Sequence, residues 1–167
     1  IIHAATGGVG LIAVEYATYE NAKCFTTAGR PSKTGILCNV GALRNASSRS
    51  EKAFCVGESR LFRSTRAQLV LNSLSADFTA VSFALVGEQC AFEEIGKRGV
   101  WSQERAKQCE AALRLDVLAI DDDLVREPNW MQGVQQISAR LVQAGRLSPL
   151  PVQVFDIWKE FPKAFRL

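Results

Sequence analysis

Short apolar runs alternate along the chain with longer stretches in which apolar residues recur every three or four positions. Residues 1–5 predict a strand and residues 8–20 a helix. In that helix Val9, Ile12, Ala13, Tyr16 and Ala17 share one face, which is its expected buried side. Residues 22–28, carrying Phe25, Thr26 and Thr27, predict a second strand. Pro31 sits where a first helical turn begins and predicts a helix to about Cys38. A weak strand is expected near 43–46, a helix over 50–62, a buried strand at 69–72 and a helix over 78–86. Residues 89–95 predict a strand ended by Gly96, and residues 117–120 another, after a charged amphipathic stretch. Over 130–144, Val134, Ile137, Leu141 and Val142 mark one side of a helix that Gly145 stops. A strand at 152–157 and a last helix from about Lys159 close the order. Strand–helix alternation without internal repeats predicts an α/β domain with a mainly parallel sheet.

Composition narrows the class. With 167 residues, 47% hydrophobic and 22% charged, the chain can build a core. It is neither a disordered tail nor a disulfide miniprotein. No run of about 18 apolar residues could span a membrane. The chain opens on Ile1-Ile2-His3-Ala4 with no start methionine, so a piece of something longer is expected. Five widely spaced cysteines form no C-x-x-C pair, and His3 is the single histidine. No metal site is expected, and the cysteines read as reduced thiols of a cytoplasmic protein.

The net charge of +3 is unevenly spread. Residues 22–68 hold nine basic side chains against Glu51 and Glu58, a local +7, which leaves −4 on the remainder. No carboxylate lies between Glu20 and Glu51. Such a block suits a nucleic-acid surface, a solvated helix face or a phosphate pocket. Nucleic acid is disfavoured, because no aromatic residues interleave with the charges as a stacking platform.

The strongest local signal is His3-Ala4-Ala5-Thr6-Gly7-Gly8-Val9-Gly10, placed after a strand and at the mouth of a helix. Read against the dinucleotide fingerprint, Ala5, Gly7 and Gly10 take the three glycine positions of a Rossmann-like, doubly wound fold. Gly7 would admit backbone close to a pyrophosphate, and Gly10 would allow tight helix–strand packing. The helix N-terminus adds N–H groups and a positive dipole end. An NAD site places Asp or Glu about 20 residues further on. Here the chain reads Thr27-Ala28-Gly29-Arg30-Pro31-Ser32-Lys33, with no carboxylate. Arg30 and Lys33 would pair with a 2′-phosphate, so the expected cofactor is NADPH.

The glycine motif and Phe25-Thr26-Thr27-Ala28-Gly29 resemble the medium-chain dehydrogenase/reductase superfamily. Val70-Leu71-Asn72-Ser73-Leu74, Glu94-Ile95-Gly96-Lys97 and Gly145-Arg146-Leu147-Ser148-Pro149-Leu150-Pro151-Val152 narrow the likeness. Together with Ser47-Ser48-Arg49-Ser50 and Pro162-Lys163-Ala164-Phe165-Arg166, they are similar to enoyl reductase domains of modular polyketide synthases and animal-type fatty acid synthases. The resemblance covers essentially the whole chain. It implies NADPH-dependent reduction of an α,β-unsaturated thioester on an acyl carrier protein, without metal. It also implies other domains of one multienzyme as partners, and homodimerisation, where it occurs, through the parent synthase. The cofactor residues it implies are Thr6, Gly7, Gly8, Val9, Gly10, Gly29, Arg30, Lys33, Arg49, Asn72, Ser73, Leu74 and Gly96.

For proton delivery the resemblance implies Lys97 and Asp121. The lysine could donate a proton or steady an enolate, and the acid could hold it in place. Without the resemblance, the two read as an exposed lysine and a helix-capping aspartate. The family commonly has an acid two places after the lysine, and here Gly99 stands there. His3 reads as structural, beneath the cofactor loop. Trp101, Trp130 and Trp158 read as core or interface. Two other functions share the fold: a cofactor-binding scaffold without turnover, for which the atypical stretch 57–68 and Gly99 speak, and a free-standing quinone or enal reductase. Residues 1–167 are expected to supply the nucleotide-binding half of the domain, with the substrate-binding half outside the chain.

Overall fold

The computed structural model describes residues 1–62, 65–75, 77–110, 112–150 and 152–164. Strands β1 (Phe25–Ala28), β2 (Arg44–Ser47), β3 (Ala67–Asn72), β4 (Val86–Glu94) and β5 (Arg114–Val117) alternate with helices. The helices between them are α1 (Gly8–Tyr19), α2 (Thr34–Asn39, entered through a 3-10 turn Pro31–Lys33), α3 (Glu51–Leu61), α4 (Asp77–Ala84) and α5 (Gln103–Lys107). After β5 come α6 (Ile120–Arg126), α7 (Pro128–Gln143) and α8 (Phe161–Ala164). β1 pairs with β2, and β3, β4 and β5 form a second ladder; every pairing is parallel.

Residues 1–5 join the two ladders. Ile2 bridges Thr26 on one side and Leu71 on the other, both in parallel. The Ile2 N–H donates to the Phe25 carbonyl at 2.9 Å and the His3 N–H to that of Leu71 at 3.1 Å. The expected first strand is therefore a central one by its pairing, although only Ile2 forms ladder bridges. The spatial order β2–β1–(1–5)–β3–β4–β5 is the doubly wound order. It puts the reversal of winding, where ligands bind in such sheets, between residues 1–5 and β3.

Successive side chains of the central strands enter different cores, as the period of two demands. Ile1, Phe25, Val70 and Phe92 pack with Phe62, Phe83, Leu113 and Leu115. Ile2, Ala28 and Leu71 pack with Val14, Leu37 and Ala42. Packing on both faces explains why the central segments 1–2 and 69–71 read as continuous apolar runs, whereas β2, β4 and β5 also carry polar residues.

The structure departs from the sequence pattern in three places. In α1 the buried residues are Gly10 and Val14, whereas Val9 and Tyr16 are exposed. The helix is apolar nearly all round, so periodicity could not select its inner face. The predicted face (Val9, Ile12, Ala13, Tyr16) instead lines an open apolar groove of about 350 Å³ with Val134, Ile137 and Leu141 of α7. The strand expected at 117–120 ends at Val117, because Asp121, Asp122 and Asp123 fill the first turn of α6. Carboxylates at that position complement the helix dipole. Residues 152–157 form no strand, and Val152 and Val154 are 83% and 86% exposed. Among the described residues no strand pairs with them, so their alternation has no sheet to bury against.

The stop of α7 follows expectation. Gly145 has φ +64°, its N–H donates to the Val142 carbonyl and that of Arg146 to Leu141. This is the paired closure that a left-handed residue permits. Of the motifs read in the sequence, Pro151, Phe165 and Arg166 lie outside the described residues, as do Arg63 and Ser64 of the stretch 57–68.

Candidate functional site

The glycine turn is built by contact with its neighbours. A Cβ on Gly10 would lie 2.5 Å from the Ala5 Cα and 2.8 Å from the Ala4 carbonyl oxygen. Helix α1 therefore rests directly on residues 4–5. Ala4 adopts φ +46°, its N–H donates to Thr27 Oγ1 at 2.9 Å, and its carbonyl accepts the Gly7 N–H at 2.9 Å. The Ala5 N–H donates to the Thr27 carbonyl at 2.9 Å. Thr27, not singled out in the sequence, thus fixes the turn through both its side chain and its main chain. No side chain caps α1 at Gly7, and no acid occupies its first turn. Its N–H groups and positive dipole end are left for an anion. Thr6, half-buried, and Gly8 complete the turn, with Leu150 Cδ1 at 3.2 Å from where a Gly8 Cβ would stand. Val9 contributes backbone only, since its side chain faces the α1–α7 groove.

Beyond β1 the chain supplies cations and no acid. A Cβ on Gly29 would come within 2.9 Å of Arg49 Nε, so the arginine lies across the glycine. The Ser48 N–H donates to the Ala28 carbonyl at 3.1 Å, which aligns the ends of β1 and β2. Arg30 and Lys33 are exposed on the turn that follows. Among the described residues, none of Arg30, Lys33 and Arg49 forms an ion pair.

At the switch point lies a buried polar chain. His3 Nδ1 is 2.6 Å from Asn72 Oδ1, and its Nε2 is 3.2 Å from Ser82 Oγ. Asn72 Nδ2 donates to Glu94 Oε2 and to the Leu74 carbonyl, so its oxygen is left to accept. His3 must therefore carry its proton on Nδ1. Glu94 Oε1 accepts the Gly96 N–H at 2.6 Å, and Ser73 Oγ donates to the His3 carbonyl at 3.4 Å. His3, Asn72 and Glu94 are each at most 2% exposed. The structural reading of His3 agrees with this burial.

Burial pushes His3 down from 6.5 to about 4, against the upward pull of its Asn72 hydrogen bond. Between those values the unfolded chain binds more protons than the folded one, so stability is lost as pH falls from 6.5 towards 4. The loss amounts to about 2 kcal/mol by pH 5. Glu94, raised by burial, works in the opposite sense and loses stability as pH rises through its own range. Urea unfolding at pH 7 and pH 5 should give the lower midpoint at pH 5, with the difference reduced in His3→Gln. Equal wild-type midpoints would contradict this account.

Lys97 and Asp121 meet as expected, Nζ to Oδ2 at 2.6 Å, with side chains 74% and 63% exposed. The hydrogen bond to Asp121 raises Lys97, and the same bond lowers Asp121. Solvent screens so exposed a pair, so its value lies in orientation rather than in stability. Gly99 has φ +68° in the bend beyond it.

Contacts thus run from Arg49 and Gly29 through Thr27 and the glycine turn to His3, Asn72, Glu94 and Gly96, with the Lys97–Asp121 pair following Gly96. All lie at the carboxyl ends of parallel strands. Among the described contacts, the side chains of Arg30, Lys33 and Val9 are not tied into this line. Sequence reasoning missed Glu94, yet its spacing from Cys90 and Phe92 in β4 puts it on the face they bury. Trp101 stacks on Phe83 under Arg105, whereas Trp158 is exposed. Cys24 and Cys90 are buried, while Cys38 and Cys109 are exposed. Among the described residues no group of three His, Cys, Asp or Glu could hold a metal ion, and no helix is long and apolar enough to cross a membrane.

No protein-family profile matches the chain. It is 31% identical over 168 residues to the spectinabilin polyketide synthase system protein NorB of Streptomyces orinoci, an alignment covering 99% of this chain and 7% of that protein. The crystal structure of CurK enoyl reductase is 30% identical, with a TM-score of 0.85 over 99% of this chain and 49% of its own. The nucleotide-binding subdomain of the enoylreductase domain of PpsC from Mycobacterium tuberculosis is 27% identical, with a TM-score of 0.77 over 89% of this chain and 84% of its own. The chain therefore spans about half of CurK enoyl reductase and less than a tenth of NorB. With the glycine turn at the switch point of a doubly wound sheet, the chain is similar over nearly its whole length to the enoyl reductase domains of polyketide synthases in the medium-chain dehydrogenase/reductase superfamily, one of them represented by its nucleotide-binding subdomain.

Proposed function

We propose that the chain binds NADPH and serves the reduction of an enoyl thioester carried on an acyl carrier protein, as part of a multidomain synthase. The observation that carries the cofactor choice is the end of β1. There Arg49 lies over Gly29 and Arg30 follows, with no carboxylate to accept a ribose 2′-hydroxyl or to repel a 2′-phosphate. The capless N-terminus of α1, held against residues 4–5 by Gly10, fits a pyrophosphate. The chain covers about half of CurK enoyl reductase, which supports a substrate-binding half supplied from outside residues 1–167.

When bound, the nicotinamide supplies a hydride to the β-carbon of the enoyl group. Lys97, kept as an ammonium by Asp121, balances the negative charge that develops on the thioester oxygen and delivers a proton from Nζ to the α-carbon. Asp121 aims the lysine.

The test is stopped-flow oxidation of NADPH by the complete reductase domain with a crotonyl thioester on its carrier protein. NADPH consumption matched by saturated thioester is expected. Lys97→Ala should lower turnover by about 10²- to 10⁴-fold without weakening NADPH binding. Tight NADPH binding with no oxidation would overturn the enzymatic reading and leave a cofactor-binding scaffold.

A further inference from the structure

Glu94 is the last residue of β4 and is 2% exposed. Among the described residues it has no cation as partner. A carboxylate buried without a counter-ion is costly, and an apolar side chain of like size would fill the space without that cost. Burial indeed lifts its pKa, against the hydrogen bonds it receives. What the carboxylate provides is two acceptors facing different ways. Oε2 takes Asn72 Nδ2–H and Oε1 takes the Gly96 N–H. A Cβ on Gly96 would stand 2.7 Å from Oε1, so the backbone there lies against the carboxylate.

Its partners tie further segments together. Asn72 Oδ1 accepts from His3 and from the Leu74 N–H, while the Leu74 carbonyl accepts from Asn72 Nδ2 and Thr79 Oγ1. The Glu94 carbonyl accepts the Leu118 N–H, on the path from β5 to Asp121. Both groups that meet the carboxylate, Asn72 Nδ2–H and the Gly96 N–H, are donors. Glutamine cannot replace it, because its NH₂ would face either the Gly96 N–H or the Asn72 NH₂. Flipping Asn72 in response would set its NH₂ against the donors of His3 and Leu74.

We infer that Glu94 is a positioning residue, whose two carboxylate oxygens lock the ends of β3 (72–74) and β4 (94–97) into one rim for the nicotinamide half of the cofactor. This rests on the NADPH reading above. Among the described residues no direct contact joins Glu94 to Arg30 or Arg49, and the glycine turn and Thr27 stand between them, so the 2′-phosphate end should feel its loss little.

Calorimetric titration of this chain with NADPH and with 2′-phospho-ADP-ribose, which lacks nicotinamide, tests the inference. Glu94→Gln should weaken NADPH at least tenfold and change 2′-phospho-ADP-ribose less than twofold. General loss of structure would weaken both, so equal losses overturn the inference, as does unchanged binding of both. A wild-type chain that binds neither ligand overturns the cofactor reading and this inference with it. Should Glu94→Gln melt at the assay temperature, Glu94→Asp, which keeps the charge but reaches only one donor, is expected to give the same split with smaller amplitude. Its absence there overturns the inference as well.

Discussion

Gly10→Ala is expected to abolish dinucleotide binding and to destabilise the chain by about 3 kcal/mol, the upper part of the range for overpacking. The added methyl group would stand 2.5 Å from the Ala5 Cα and 2.8 Å from the Ala5 carbonyl carbon and the Ala4 oxygen. These are backbone atoms, and neither residue can step aside. Ala4 is held by Thr27 Oγ1 and Ala5 by the Thr27 carbonyl, both at 2.9 Å. Relief must come from moving α1 outward, which pulls its N-terminal N–H groups away from the turn. Gly133 in α7 is the control. Among the described residues nothing lies within 4 Å of its added methyl, and Gly133→Ala should stabilise by about 0.5–1 kcal/mol. Urea unfolding and NADPH titration of both variants check the pair. A Gly10→Ala chain with wild-type midpoint and affinity would mean that α1 does not rest on residues 4–5.

Arg30→Ala and Lys33→Ala should weaken NADPH by about 10- to 100-fold each, the scale of a charged hydrogen bond, and leave NADH binding nearly unchanged. Arg49→Ala should do the same and further free the space over Gly29. The asymmetry is the informative part, because the two cofactors differ only in the 2′-phosphate. Equal losses for NADPH and NADH would assign these cations to the pyrophosphate or to solvent. Raising the salt concentration should reduce the NADPH preference, since Arg30 and Lys33 are exposed and their attraction is screened.

Much of this site is legible in the sequence for a local reason. The glycine turn, the missing acid after β1 and the Gly145 stop each depend on a few adjacent residues whose backbone geometry is nearly dictated by residue type. The boundaries that shifted are those where two local preferences compete. The run at 117–120 has strand-forming side chains, but three consecutive aspartates favour a helix start, and the helix begins at Ile120. At 152–157 the alternation is real, yet a strand needs a partner backbone, and that partner is not encoded locally. The inner face of α1 was hidden because apolar residues surround it, leaving Gly10 and Val14 to be chosen by what lies beneath.

Glu94 marks the limit most clearly. Its place on a buried face could be counted from Cys90 and Phe92. That its two oxygens meet Asn72 and Gly96 could not, because Asn72 lies 22 residues away on another strand. By itself, the sequence determined an α/β alternation, a glycine turn at the mouth of a helix and a basic stretch without a carboxylate after β1, whereas Lys97 and Asp121 were singled out only by the family resemblance. The tertiary structure decided that residues 1–5 form the centre of the sheet. It also decided which face of α1 is inside, and that His3, Asn72 and Glu94 form one buried chain. The division follows from range: turn chemistry and charge are set by neighbours in sequence, whereas burial and polar satisfaction are set by segments that only folding brings within hydrogen-bonding distance.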